Sequence, residues 1–148
     1  MLYKRQILSF IIFVSLSFIF TACSFIQTKS SDTPPNASLI NTYWKLMQIN
    51  GKIVELTNKR EAYMVLNENK IRGNSGCNSM NGVYSFKEDK LSLSRPMMMT
   101  RMFCQGSVEG EFTKALAQMK TYKIKGQSLE FFDANGLKLA EFKSVYLH

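Results

Sequence analysis

The chain has 148 residues, 45 % of them hydrophobic, and a formal net charge of +8. That length suits one globular domain rather than two, and the hydrophobic content excludes a wholly disordered chain. The basic residues are scattered, with no run longer than the pair Lys59-Arg60, so they read as solvated faces rather than a nucleic-acid site.

Met1–Gln6 carries Lys4 and Arg5 without an acid, and residues 7–20 form an apolar run. As a helix this run would extend roughly 21 Å, well short of a bilayer core of about 30 Å. It reads as a secretory signal rather than a transmembrane span. The segment ends in Phe20-Thr21-Ala22-Cys23, which resembles the lipobox read by lipoprotein signal peptidase, with phenylalanine where leucine is usual. Residues 1–22 are therefore expected to be a lipoprotein signal peptide, with lipid attached at Cys23. A diacylglyceryl group supplies at least two chains, enough to hold the chain at a lipid membrane durably. Losing Lys4 and Arg5 lowers the net charge to +6. Ser24 is not the aspartate of an inner-membrane retention signal. The expected location is the cell envelope, on the outer membrane facing the periplasm if the host has two membranes. Export also argues against a nucleic-acid partner. Residues 23–39, polar and containing Pro34-Pro35, read as the lipidated cysteine and a flexible tether.

From residue 40 the pattern becomes regular. Short strands are expected at 42–49, 52–54, 62–66, 70–72, 82–86 and 90–94, with Asn50-Gly51 as a hairpin turn. Three more follow at 120–125, 128–132 and 137–142. One helix interrupts them, with Ser107 as N-cap and Glu109 and Glu111 at the positive end of its dipole. Lys114 and Lys120 stand toward the other end. Val108, Phe112, Ala115, Leu116 and Met119 recur at helical spacing and form one apolar stripe. The expected fold is mostly β (α+β): a curled antiparallel sheet or small barrel-like fold covered by one helix.

Three blocks carry a resemblance. Gly73-Asn74-Ser75-Gly76-Cys77-Asn78, followed by Gly82 and Tyr84, resembles the GCN-x-x-x-G-x-Y signature of the META domain, also called the HslJ-like heat-shock family. Thr100-Arg101-Met102-Phe103-Cys104 resembles its T-x-M-x-C block, and Trp44-Lys45-Leu46 its opening strand. The match spans roughly residues 40–143, so the META domain is placed at 40–148. The resemblance implies a compact, mostly β fold with one helix. Family members are often exported lipoproteins, some associated with heat shock, tolerance of novobiocin, or virulence, and no enzyme activity is established for the family. Gly73 and Gly76 are expected to bracket a tight reversal at positive φ, and Asn78 to brace the loop with its amide.

With Cys23 acylated, Cys77 and Cys104 remain, an even pair in an exported chain. A bridge would close a loop of about 28 residues and stabilise by roughly 3.5 kcal/mol in the chain-entropy model. Two buried free thiols, or a metal or redox site, are the alternatives. Met80, Met97, Met98, Met99 and Met102 lie near the cysteines, and thioether with thiolate suits Cu(I). Core filling is the plainer reading of these methionines. His148 is the only histidine, which removes histidine-based triads and zinc motifs. Glu109 and Glu111 stand two apart on a helix and do not face each other. No catalytic residue, metal or cofactor is assigned. The expectation is a non-catalytic envelope lipoprotein acting in stress, heat or drug tolerance. A soft-metal or small apolar ligand-binding module and a scaffold for an envelope protein partner are the alternatives.

Overall fold

The computed structural model describes residues 35–55, 60–88, 90–94 and 96–146. The signal peptide, Cys23 and residues 24–34 of the expected tether lie outside them. The strands are β1 (Tyr43–Ile49), β2 (Lys52–Ile53), β3 (Ala62–Asn67), β4 (Lys70–Ser75), β5 (Ser79–Lys87), β6 (Lys90–Leu93) and β7 (Met98–Met99). Helix α1 (Glu109–Gln118) follows, then β8 (Thr121–Lys125), β9 (Ser128–Phe132) and β10 (Lys138–Val145). All pairings between these strands are antiparallel.

Eight of the strands close on themselves in the order β1-β3-β4-β5-β6-β8-β9-β10, with β10 returning to β1. The barrel-like reading of the sequence is thereby resolved into a closed barrel, which leaves the eight strands no free edge except where pairing is thin. It is thin between β6 and β8, which share only the pair Lys90↔Thr121. Strands β2 and β7 are short additions, β2 on β1 and β7 on β5. Asn50 and Gly51 both have positive φ, 49° and 77°, as a two-residue hairpin turn requires.

Alternation places the core. On β1, Trp44 and Leu46 point inward while Tyr43 and Lys45 face out. A register shift between Leu46 and Gln48 inserts one residue, so that Ile49 also turns inward. A matching shift on β10 explains why the adjacent Leu139 and Ala140 are both buried. Met64, Leu66, Ile71, Met80, Leu91, Leu129, Phe131 and Phe142 fill the interior with Trp44. The helix adds Phe112, Ala115 and Leu116, followed by Met119, so the apolar stripe does what its spacing implied. Phe142 lies 5.8 Å from Phe112 and 4.9 Å from Phe131, ring centre to ring centre, which joins helix to barrel through aromatic contacts.

Three local expectations are corrected. The N-cap is Val108, without a side-chain cap, rather than Ser107, and the helix ends at Gln118, so Lys120 stands outside it. Gly73 is not in a reversal: it lies within β4, paired with Met64 on one side and Met80 on the other. A Cβ there would come within 2.1 Å of the Tyr63 carbonyl oxygen, so glycine serves close strand approach. Finally, the described end of the expected tether packs on the domain. The Ala37 amide donates to the Gly126 carbonyl (2.8 Å), and the Gly126 amide to Asn36 Oδ1 (2.7 Å). Ala37 and Leu39 are buried, and Trp44 Nε1 donates to the Leu39 carbonyl at 3.1 Å. Two apolar side chains in a polar stretch were too weak a signal to mark this docking.

Candidate functional site

The resemblance singled out Gly73, Gly76, Cys77, Asn78, Gly82, Thr100, Met102 and Cys104, which come from two separate segments, 73–82 and 100–104. The structure joins most of them around Asn78. Gly76, at φ 90°, turns the chain out of β4, and its amide donates to Asn74 Oδ1 at 2.9 Å. This reversal delivers Asn78 to a fully buried position below the 100–104 segment and the first turn of α1.

The Asn78 amide then makes a complete set of bonds. Its Nδ2 donates to the Met102 carbonyl (3.0 Å) and to both carboxylate oxygens of Glu109 (3.0 and 2.9 Å). Its Oδ1 accepts from Thr100 Oγ1 (2.8 Å) and from the Met102 amide (2.7 Å). Thr100 Oγ1 also accepts from the Ser79 amide at 3.1 Å. The Asn78 backbone amide donates to Ser75 Oγ (3.0 Å) and Glu109 Oε2 (3.1 Å), and Ser75 Oγ is bonded to the same carboxylate. Asparagine is the side chain that can donate to a carboxylate and accept from a peptide amide at once. Aspartate would set two carboxylates together, and leucine would orphan every partner.

The cysteines lie beside this cluster and are joined to each other. Cys77 and Cys104 form a disulfide with Cα atoms 5.8 Å apart, which settles the choice between bridge and free thiols. The bond ties the β4–β5 turn to the segment that enters α1. Arg60 Nη1 caps the turn from outside, donating to the Cys77 carbonyl at 3.0 Å. Gly82 serves packing: a Cβ there would stand 3.1 Å from Met97 Cγ and 3.2 Å from Ile71 Cγ2.

This arrangement bears on the soft-metal alternative. Both thiols are used by the disulfide, and the methionines do not converge. Met80 is in the core, Met97 and Met99 pack against it, and Met98 is 72 % exposed on the outer face. Among the described residues, no group of three His, Cys, Asp or Glu is placed to hold a metal ion. Among the described residues, too, no helix is long and apolar enough to cross a membrane.

Ser75 and Glu109 were not identified as cluster members from sequence. Glu109 carried a signal, an acid in the first turn of a helix. Nothing local connects it to Asn78, which lies 31 residues earlier. Every buried side-chain nitrogen and oxygen among the described residues has a partner. The cluster is therefore a satisfied internal clasp, with its bonding capacity used in holding β4, β5, β7 and α1 together.

The comparisons agree with this geometry. No protein of curated function matches the chain. An NMR structure of a protein from Burkholderia xenovorans is similar, with a TM-score of 0.60 and 23 % identity over 74 % of this chain and 85 % of that one. A second NMR structure matches with a TM-score of 0.56 and 21 % identity over 69 % of this chain and 87 % of that one. At such identity the likeness concerns the fold alone. The family model described as META domain matches residues 37–146. That span takes in every described strand, the helix, the disulfide and the Asn78 clasp, and so this chain belongs to the META-domain family.

Proposed function

We propose that this chain is a non-catalytic META-domain lipoprotein, anchored in the cell envelope through Cys23 and serving tolerance of heat, drugs or other envelope stress. The observation that carries the reading is the stapled clasp. The residues that define the family signature are engaged with one another in a disulfide and a closed hydrogen-bond set. A disulfide of this kind persists in oxidising compartments outside the cytoplasm, which accords with an export signal ahead of the domain. The signature thus maintains a rigid barrel, and the lipid at Cys23 determines where that barrel resides.

The test uses the intact protein in its host. Mass spectrometry of membrane-extracted protein is expected to find a lipid-modified Cys23. A deletion strain is expected to lose survival under heat or drug challenge, restored by the wild type and not by Cys23→Ser. An unmodified N-terminus would overturn the anchoring. A deletion strain with unchanged permeability, drug tolerance and heat survival would overturn the role.

A second reading, a scaffold for an envelope protein partner, is favoured by one observation. Phe103 is 92 % exposed beside the disulfide, an unusual position for a large aromatic. A photo-crosslinker at residue 103 that captures no specific partner in living cells would remove that reading.

A further inference from the structure

A cleft lies away from the Asn78 clasp, where the barrel is least well closed. β6 and β8 share one residue pair, Lys90↔Thr121, supplemented by a 3.1 Å bond from the Leu91 amide to the Lys120 carbonyl. Beside this seam the β5–β6 hairpin and the β9–β10 turn enclose a cavity of about 630 Å³. Its size falls within the range of small-molecule sites, roughly 300–1,000 Å³.

The residues around it divide into two chemistries. Phe86 lies two residues after Tyr84 and six after Met80 along β5, so alternation puts it on the strand's inward face. Met80 and Tyr84 are buried, yet Phe86 is 53 % exposed, because the barrel wall has opened at its level. Its ring stacks on Tyr84 with centroids 6.2 Å apart, which holds it as a fixed apolar surface. Its cross-strand neighbour Leu91 is buried, and Ala134 of the opposite turn also lines the cleft. The rim carries Lys87, Lys90 and Lys120. Among the described residues none of the three lysines has an ion-pair partner; the ion pairs there use Lys45 and Lys138. Asp133 also lines the cleft, but its Oδ1 accepts the amides of Asn135 (2.8 Å) and Leu137 (2.9 Å) within its own turn. Glu88, next along the chain from Lys87, tempers the positive charge of the three lysines without cancelling it.

An inward aromatic left uncovered beside three ammonium groups is complementary to one class of molecule. We propose that the cleft binds a monomeric anionic amphiphile, its tail against Phe86 and Ala134 and its carboxylate or phosphate head held by Lys87, Lys90 and Lys120. The apolar part supplies contact area, and the lysines select charge through charge-assisted hydrogen bonds. The site is separate from the cysteines and methionines, and it goes beyond the anchoring reading without depending on it.

The experiment can use residues 33–148, a compact unit that contains every strand and the helix. The two solved relatives consist of little besides this fold, being covered to 85 % and 87 %, so the fold stands alone in solution. Decanoate below its micellar concentration is titrated calorimetrically, with uncharged decanol for comparison, and amide shifts are mapped by NMR. Decanoate is expected to bind, and decanol about tenfold more weakly or less. Shifts are expected to gather on residues 84–93 and 132–137. The Lys90→Glu/Lys120→Glu variant is expected to weaken decanoate roughly tenfold or more, and Phe86→Ala similarly, at unchanged amide dispersion. Should Phe86→Ala not fold, the lysine variant decides, since those side chains are on the rim. Equal affinity for decanol and decanoate, no binding of decanoate, or shifts centred elsewhere would overturn the proposal. So would sedimentation with phosphatidylglycerol vesicles without decanoate binding, which would make the patch a membrane-facing surface instead.

Discussion

Truncating Asn78 to alanine tests whether the family signature is an internal clasp. The substitution leaves the Met102 amide, the Met102 carbonyl and the Thr100 hydroxyl without their Asn78 partner, and takes two bonds from the Glu109 carboxylate. A buried group deprived of its partner costs about 1–3 kcal/mol. Glu109 retains Ser75 Oγ and the residue-78 amide, and the 100–104 segment can recruit water at its exposed side, so the low end of that range applies. The expected loss is about 4 kcal/mol, a large share of the 5–15 kcal/mol typical of a domain. For a domain of this size it lowers Tm by roughly 15–20 °C. Urea denaturation of residues 33–148 at pH 7 gives the value, provided the m-value is unchanged. Pairing Asn78→Ala with Glu109→Ala in a double-mutant cycle is expected to show a coupling of about 1–3 kcal/mol. A loss below about 1 kcal/mol for Asn78→Ala would refute the clasp, and the cluster would then be available for binding.

Other expectations follow from the same geometry. Replacing Cys77 and Cys104 by serine together is expected to remove roughly 3.5 kcal/mol, and reductant is expected to lower the wild type, but not the double variant, by a similar amount. Gly73→Ala places a methyl against the Tyr63 carbonyl and is expected to cost about 3 kcal/mol or more. Gly110→Ala meets nothing within 4 Å on the helix and is expected to stabilise by about 0.5 kcal/mol, so equal effects in denaturation would contradict the packing argument. The Tyr43 hydroxyl is held well above its ordinary pKa, first by burial, then by the charge of Glu61 and the 3.3 Å bond to it. A raised folded-state value stabilises below the unfolded pKa, near 10, and that contribution falls away as pH rises above it. Tyr43→Phe is therefore expected to flatten the alkaline loss of stability, read from melting curves above pH 10. Parallel alkaline melting curves for the two proteins would contradict this.

Much of the architecture can be read from local pattern. The strands on either side of Asn50-Gly51 and the last two hairpins follow from alternation and turn residues, and the helix from its apolar stripe. The two signature blocks identified the family because their residues are contiguous within each block. An even pair of cysteines favoured a bridge, although alternation and spacing could not say whether the two sulfur atoms meet. The extent of the domain was harder to read. Residues 36–39 dock through an asparagine side chain, two backbone bonds and two small apolar contacts, none of which has a period. Gly73 read as a turn glycine, because a glycine required for close approach of a neighbouring strand has the same local signature as one required for positive φ.

The sequence by itself determined nine of the ten described strands, missing only the two-residue β7, together with the helix, its buried face and the family. Those depend on interactions between residues a few positions apart, where alternation, spacing and turn chemistry are decisive. Only the tertiary structure decided that the sheet closes, that Asn78 and Glu109 share a carboxylate-amide contact, that Cys77 and Cys104 bond, and that Phe86 faces inward yet stays uncovered. Each of those depends on strand register and barrel curvature, which bring together positions 27, 31 or more residues apart. Closure between β10 and β1 is the extreme case, pairing Tyr43 with Val145 across nearly the whole domain.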